Sequence, residues 1–350
     1  GTLTYEDVTD IDSVGLITAR QGILIKPYPG AAAETGVGVT INQGGAVFAG
    51  ILTASNIIDA TDGDGNTRVG KSAGNSFTVG SAVNNTLIGK NSGTAITVAD
   101  NCTLVGHSAG DAVTTGSNNT ALGYAALTAA TTGERHVAIG NNALAANTTA
   151  ADNTAVGYNA LTANTTGTQN TAVGAYALDA NTTDSYNSAV GYQALSANTT
   201  GEINTAVGSF ALRDSTTSDA NTALGSSALL ANTTGAQNTA VGARALDANT
   251  TASYNCAFGY DTLTDNTTGT QNCAFGWQTL KENTTANGNT GFGYATLWLN
   301  TTGDSNCAFG NSTLQANTTG HSNVAVGALA LTANTTASYN TAVGYGVLDA

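Results

Sequence analysis

The sequence predicts an all-β chain, a parallel β-solenoid of 17-residue coils, on three observations. A glycine closing an NTAVG-like pentapeptide stands at Gly89, Gly106 and Gly123, then at every seventeenth residue to Gly344, without an insertion. Loops of free length would break that step, so each unit is one turn of a coil held to size by its neighbours. Four residues after the glycine comes a leucine in every unit from Leu127 to Leu348, and from Ala121 on the residue two before it is Ala, with Gly291 the exception. The remaining half of the unit, ANTTG, carries turn formers that would break a helix.

Each element of the coil follows from that pattern. NTAVG reads as a short strand, in which Ala and Val point to opposite sides. Both sides are apolar, so the strand is expected to be buried on both faces. One face lies inside the coil and the other against a partner surface, most simply two further copies around a threefold axis. ANTTG is polar and expected to face water, its two adjacent threonines pointing to opposite sides. Sixteen coils at strand spacing make a rod of about 75 Å. The residue after NTT alternates between Gly and a larger residue, as in Gly167, Asp184, Gly201, Ser218, Gly235 and Ala252, until Gly320 breaks the order. The larger unit is therefore two coils. In one block Phe258, Phe275, Phe292 and Phe309 replace the aliphatic before the glycine, and Thr262, Thr279, Thr296 and Thr313 replace the Ala three after it. Both positions grow together, so the rod is expected to widen or repack there.

Residues 1–60 lack the period. SVGLITARQGILI (13–25) and FAGILTASNII (48–58) read as strands of a small N-terminal β segment for attachment or oligomerisation. Residues 61–117 read as irregular first coils, and 118–350 as the regular solenoid, truncated at Ala350 within a repeat. With no Met in the 350 residues, a piece of a longer or processed chain is expected.

Composition excludes several classes of function. The net charge of −14 rests on scattered carboxylates and there is no basic cluster, which argues against nucleic acid and anionic membrane as partners. No run is apolar for long enough to span a bilayer. Cys102, Cys256, Cys273 and Cys307 include no CxxC. Cys256 and Cys273, one coil apart and pointing the same way, are poorly placed for a disulfide, so free thiols are expected.

Several short motifs have to be weighed against the repeat. GNTRVGKS (65–72) matches a phosphate-binding loop letter for letter, but AGNSFTVG follows where a helix is needed. VGKSAG also recurs as IGKNSG and VGHSAG, so the match is a by-product of the repeat. DGDGN (62–66) opens like a calcium loop, yet Ala73 stands where its bidentate acid belongs; a turn is expected. NTT is a glycosylation sequon, better explained as an Asn ladder satisfying backbone groups at a tight corner. Tyr124, Tyr158, Tyr192, Tyr260, Trp277, Tyr294 and Tyr345 recur just after the glycine. Of these, Tyr158, Tyr192, Tyr260, Trp277 and Tyr294 are the candidate ligand contacts, for a host-surface glycan. His107, His136 and His321 sit at unrelated repeat positions and no carboxylate pair stands apart from the repeat. No enzyme, metal site or cofactor is expected.

GTLTYEDVTDIDSVGLITARQGI, residues 1–23, resembles a segment of tail-fibre and other virion structural proteins of marine cyanophages. The NTAVGYNAL…NTTG array over 85–350 is similar to repeats of bacterial and phage fibre proteins and, with longer coils, to the heads of trimeric autotransporter adhesins. The resemblance implies a homotrimeric fibre on a virion or cell surface and carries over no catalytic residue. The expected function is the structural shaft of a tail fibre or similar extracellular appendage, supporting host attachment. The alternative is a ligand-binding β-solenoid, ice-binding or carbohydrate-binding, on a bacterial surface.

Overall fold

The computed structural model describes residues 64–78 and 80–349; the expected N-terminal β segment and the first half of DGDGN lie outside the described residues. The described chain is an all-β parallel solenoid with no helix among the described residues. It has seventeen three-residue strands, from β1 (Thr67–Val69) and β2 (Thr86–Ile88) to β17 (Thr341–Val343), one per coil. Each pairs in parallel with the next in chain order. The register step is 19 residues from β1 to β2, where Thr67 faces Thr86, and 17 thereafter, as where Ser188 faces Thr205. Pairing also continues around the coil outside the strands: Leu195 N–H donates to Ala211 O, Thr199 N–H to Thr216 O and Gln193 N–H to Ala175 O.

A glycine is required where the strand ends. Gly191 has φ +140°, and a Cβ there would lie 2.4 Å from the carbonyl oxygen of Gly208 in the next coil. The stacked glycines thus touch backbone to backbone, and any side chain would force the coils apart. Elsewhere the corners are turned by left-handed residues other than glycine, such as Gln193, Leu195 and Ile203 at φ +53°, +55° and +60°. Leucine takes this unfavourable region in coil after coil because its side chain there enters the interior, where Leu195 is fully buried.

The interior has two halves. On one side lie the strand Ala, a second Ala and the Leu, as in Ala189, Ala194 and Leu195, all 0 % exposed. On the other side lie two asparagines, as in Asn187 and Asn198, also 0 % exposed. The expectation that the whole ANTTG half faces water is therefore corrected: its Asn points inward. Asn187 Oδ1 accepts the N–H of Asn204 at 3.0 Å, and its Nδ2 donates to Gly201 O at 2.8 Å. In the second column Asn198 Nδ2 donates to Asn181 Oδ1 at 3.1 Å and to Gly201 O at 3.0 Å. Corner carbonyls and amides turned inward need partners, and a ladder of amides provides one set per coil. An Asn buried and bonded in this way cannot present its amide for glycan attachment in the folded chain.

The strand is not buried on both faces within one chain. Its Ala points in; the residue before the glycine points out, with Leu122 48 %, Val190 38 % and Leu224 47 % exposed. The two threonines of NTT are both outside, Thr199 and Thr200 being exposed between buried Asn198 and Gly201. Strict alternation holds for extended backbone, and this corner is not extended.

The two kinds of coil differ in packing at the same corner. A Cβ on Gly201 would lie 2.3 Å from Ser218 O and 2.4 Å from Asn198 Oδ1, so this type of coil has no room for one. In several intervening coils a short polar side chain just after the larger residue bonds the neighbouring glycine coil, as Ser117 and Asp304, which follow glycines, do from the other kind of coil. Ser185 Oγ accepts from Thr168 N–H at 3.0 Å, Asp219 Oδ1 from Glu202 N–H at 2.8 Å and Ser253 Oγ from Ala236 N–H at 3.0 Å.

Candidate functional site

The outer surface is built of rows, one residue per coil, and every candidate contact lies on them. Tyr158, Tyr192, Tyr260, Trp277 and Tyr294 are 41–50 % exposed. The structure joins two of them through a residue that the sequence pattern passed over. Tyr158 meets Tyr176 edge to face at 5.3 Å, Tyr176 meets Tyr192 at 6.3 Å, and Tyr192 meets Phe210 at 5.4 Å. Tyr176 and Phe210 stand two residues after their glycine rather than one, so a search at a single repeat position misses them. Alternation of aromatics between the two positions in successive coils was the available signal. Trp277 and Tyr294 are stacked at 4.9 Å with planes 9° apart, one coil beyond Tyr260. Trp277 and Tyr294 thus each give one ring face to the other, whereas Tyr158 and Tyr192 meet their neighbours edge to face.

A second aromatic column lies on the strand face. It belongs to β12 (Cys256–Phe258), β13 (Cys273–Phe275), β14 (Thr290–Phe292) and β15 (Cys307–Phe309). Phe258, Phe275, Phe292 and Phe309 stack with centroids 4.5, 4.6 and 4.9 Å apart and planes within 7° of parallel. The threonines that accompany them are inside, fully buried. Thr262 Oγ1 donates to Gly276 O at 2.6 Å and Thr313 Oγ1 to Gly327 O at 2.8 Å. Phe and Thr thus grow into opposite sides of the wall and do not compete for space. The 17-residue register also runs through the block unchanged, so the expected widening of the rod has no cause here.

The cysteines are free thiols. Cys256, Cys273 and Cys307 point outward beside the Phe column and are half-buried. Partial burial raises the pKa of Cys256 and Cys273, which keeps them protonated and poorly nucleophilic at neutral pH. Cys102 replaces a ladder Asn inside, and burial pushes its thiol up to about 11.

His136 also replaces a ladder Asn. It is fully buried, with Nδ1 accepting from Asn153 N–H at 3.3 Å and Nε2 against Ala150 O at 2.8 Å. These are the two bonds that Asn187 makes in its own coil. A backbone N–H can only donate, so Nδ1 accepts and the proton belongs on Nε2; Asn147, whose amide lies 2.6 Å from Nε2, then has to turn its otherwise unpartnered Oδ1 toward the ring. Burial, outweighing its hydrogen bonds, holds the pKa below the ordinary 6.5.

Among the described residues no three His, Cys, Asp or Glu side chains gather where they could hold a metal ion. GNTRVGKS forms β1 and the turn after it, without the helix a phosphate loop needs. No helix is long and apolar enough to cross a membrane among the described residues. A hollow lined by Leu331, Asn334, Thr335, Asn340 and Leu348 is the open cross-section of the final coil. Compared with protein families, with curated proteins and with solved structures, the chain matches none.

Proposed function

We propose that the chain is the structural shaft of an extracellular fibre, a stiff homotrimeric spacer on a virion or similar surface appendage that supports host attachment. The reading assigns it no catalysis and no cofactor. One observation carries it: a partly exposed apolar row, one side chain per coil, runs the length of the described solenoid, whose own core is already closed by the Ala–Leu and Asn columns. A row this long is more apolar surface than soluble monomers ordinarily leave open, and copies of the same chain offer a match of equal length. Closure around a threefold axis is supported by the resemblance of residues 1–23 to virion proteins and of the array to fibre repeats. Light scattering on the full chain should give the mass of three copies. A stable, soluble monomer would overturn the trimer.

A second reading is favoured by the two outward threonine rows. Side by side at one corner, they suit a binding face for ordered water or a glycan, and the argument that they point apart no longer holds. The first row is less free than it looks, since Thr199 Oγ1 donates to Thr216 O at 3.1 Å. Thermal hysteresis in a freezing assay would favour an ice face; its absence would remove it.

A further inference from the structure

We propose that the Phe258–Phe275–Phe292–Phe309 column is a register key, which fixes the axial position of one copy of the chain against another. The inference rests on the self-association proposed above and adds what sets its alignment. A rod of like coils has a difficulty when it pairs with itself. Sliding one copy by a single coil, about 4.8 Å, returns aliphatic to aliphatic over most of the outer strand face, with only the smaller size changes at Ile88, Leu122, Ile139 and Leu224 to mark the step. Such registers are nearly equal in energy, as in any strand pairing whose faces do not distinguish one step from the next.

The four phenylalanines break that equivalence. They occupy four consecutive coils of a row that is aliphatic in the strands before and after them, as the pairing of Phe258 with Val241 and of Phe309 with Val326 shows. Their rings are held parallel by one another at 4.5–4.9 Å, so they project as one ridge rather than four mobile groups. Phe309 keeps 39 % of its surface exposed. The row position two before the Phe also changes, from Thr or Ser to Cys256, Cys273 and Cys307 in three of the four coils, Thr290 remaining before Phe292, which makes the same patch less polar. In a shifted assembly the ridge overhangs its counterpart at one end and leaves unfilled space at the other. Core-like packing penalises both.

A second copy is the occupant because the extent of the surface suits one. Nine of the row's seventeen residues are 36–68 % exposed and the others less. At roughly a third of ~150 Å² each, the row leaves on the order of 800 Å² open, comparable to the ~800 Å² per partner of a stable interface. A small ligand would cover a few coils and leave the rest as it is.

The native cysteines report the register. Full-length chains, one batch isotopically heavy and one light, are unfolded together, refolded and treated with a short bismaleimide at mildly alkaline pH, where the raised thiols of Cys256 and Cys273 supply enough thiolate to react. Heavy–light peptide pairs are then identified by mass. The expected wild-type result is like with like: Cys256 to Cys256, Cys273 to Cys273, Cys307 to Cys307. Combining Phe258→Val, Phe275→Val, Phe292→Val and Phe309→Val, which installs the residue used at this position in other coils, should leave the assembled mass unchanged. Mixed pairs such as Cys256 to Cys273 should rise roughly tenfold, the change that about 1.4 kcal/mol of lost preference produces. Phe292→Val alone, the smallest change to the ridge, should move the pairs in the same direction. Mixed pairs in the wild type, no heavy–light pairs from an assembled wild type, or like pairs persisting in the variants would each overturn the register role. A single-chain mass would instead remove the self-association on which it rests.

Discussion

The two halves of the coil interior are held by different physics, although they are equally buried. On the Ala–Ala–Leu side a residue is there for its volume, and stability follows apolar area removed from water. On the Asn–Asn side each residue is there for the partners it supplies, and stability follows whether turned-in backbone groups are satisfied. The comparison shows that a thin coil need not be apolar throughout. It can bury its corners if one side chain per coil matches the backbone donors and acceptors there.

The largest expected effect tests the two halves directly. Leu195→Ala removes buried volume and should cost about 2–5 kcal/mol. Asn187→Ala removes far less apolar area, yet leaves Asn204 N–H without its side-chain partner, while Gly201 O keeps the bond from Asn198 Nδ2. One orphaned buried donor at about 1–3 kcal/mol gives it a cost that overlaps the lower part of that range. The distinction lies in rescue. Met at 195 should recover most of the loss, whereas Leu at 187 should recover none. Recovery by Leu at 187, read from denaturant midpoints, would mean that the polar half is filled rather than bonded.

Next in size is the pH dependence at His136, which the polar half alone creates. Its pKa is lowered in the folded chain, so its contribution to stability is fully present above the unfolded value of 6.5 and is lost as pH falls below it. Protonation puts a second N–H on Nδ1, against the Asn153 N–H. The nearby charges, Glu134, Arg135 and Asp152, are linked on the outside by Arg135 salt bridges. Asp111, Asp179 and Asp247 are shifted the other way, raised by burial, so their effect falls near the carboxylate range and has the opposite sign. Between pH 7 and 5 the chain should therefore lose stability, and His136→Asn, which restores the residue used in most coils, should flatten that slope. Hydrogen exchange in the coils around residue 136 should show the same change. An unchanged slope in the variant would place the titration elsewhere.

Much of this architecture is legible in the sequence, and the rest is hidden for definite reasons. The step of 17, the parallel ladder and the Leu core follow from Gly191 and Leu195 and their equivalents, each with one physical role that nothing else fills. The Asn ladder that satisfies corner backbone groups was legible in NTT, but its place inside the coil was not, because amides are normally assigned to the surface. The better signal was already present: Asn187 and Asn198 have counterparts in nearly every coil, while neighbours such as Glu202 and Ile203 vary freely. A solvated corner has no reason to repeat so strictly. The aromatic ladder was half visible, since Tyr158 and Tyr192 share a repeat position while Tyr176 and Phe210 are offset by one. The direction of the two threonines could not come from alternation, because the chain is turning where they stand.

The smallest expected effect lies just outside the polar half. Thr199 follows buried Asn198 but is itself exposed, and its one side-chain bond, to Thr216 O at 3.1 Å, runs along the surface. That carbonyl also accepts the Thr199 N–H at 2.9 Å, so losing the hydroxyl leaves no buried group unpaired. Thr199→Ala should cost about 0.5 kcal/mol or less, several-fold below Asn187→Ala, although both residues carry one polar side chain and both sit at corners of the coil. The contrast separates the value of a hydrogen bond that water can replace from one that it cannot. Melting curves for the two variants should differ visibly. Equal shifts would mean that the corner is closed to water on its outer side as well, as it would be if a neighbouring copy covered the threonine rows rather than the strand face.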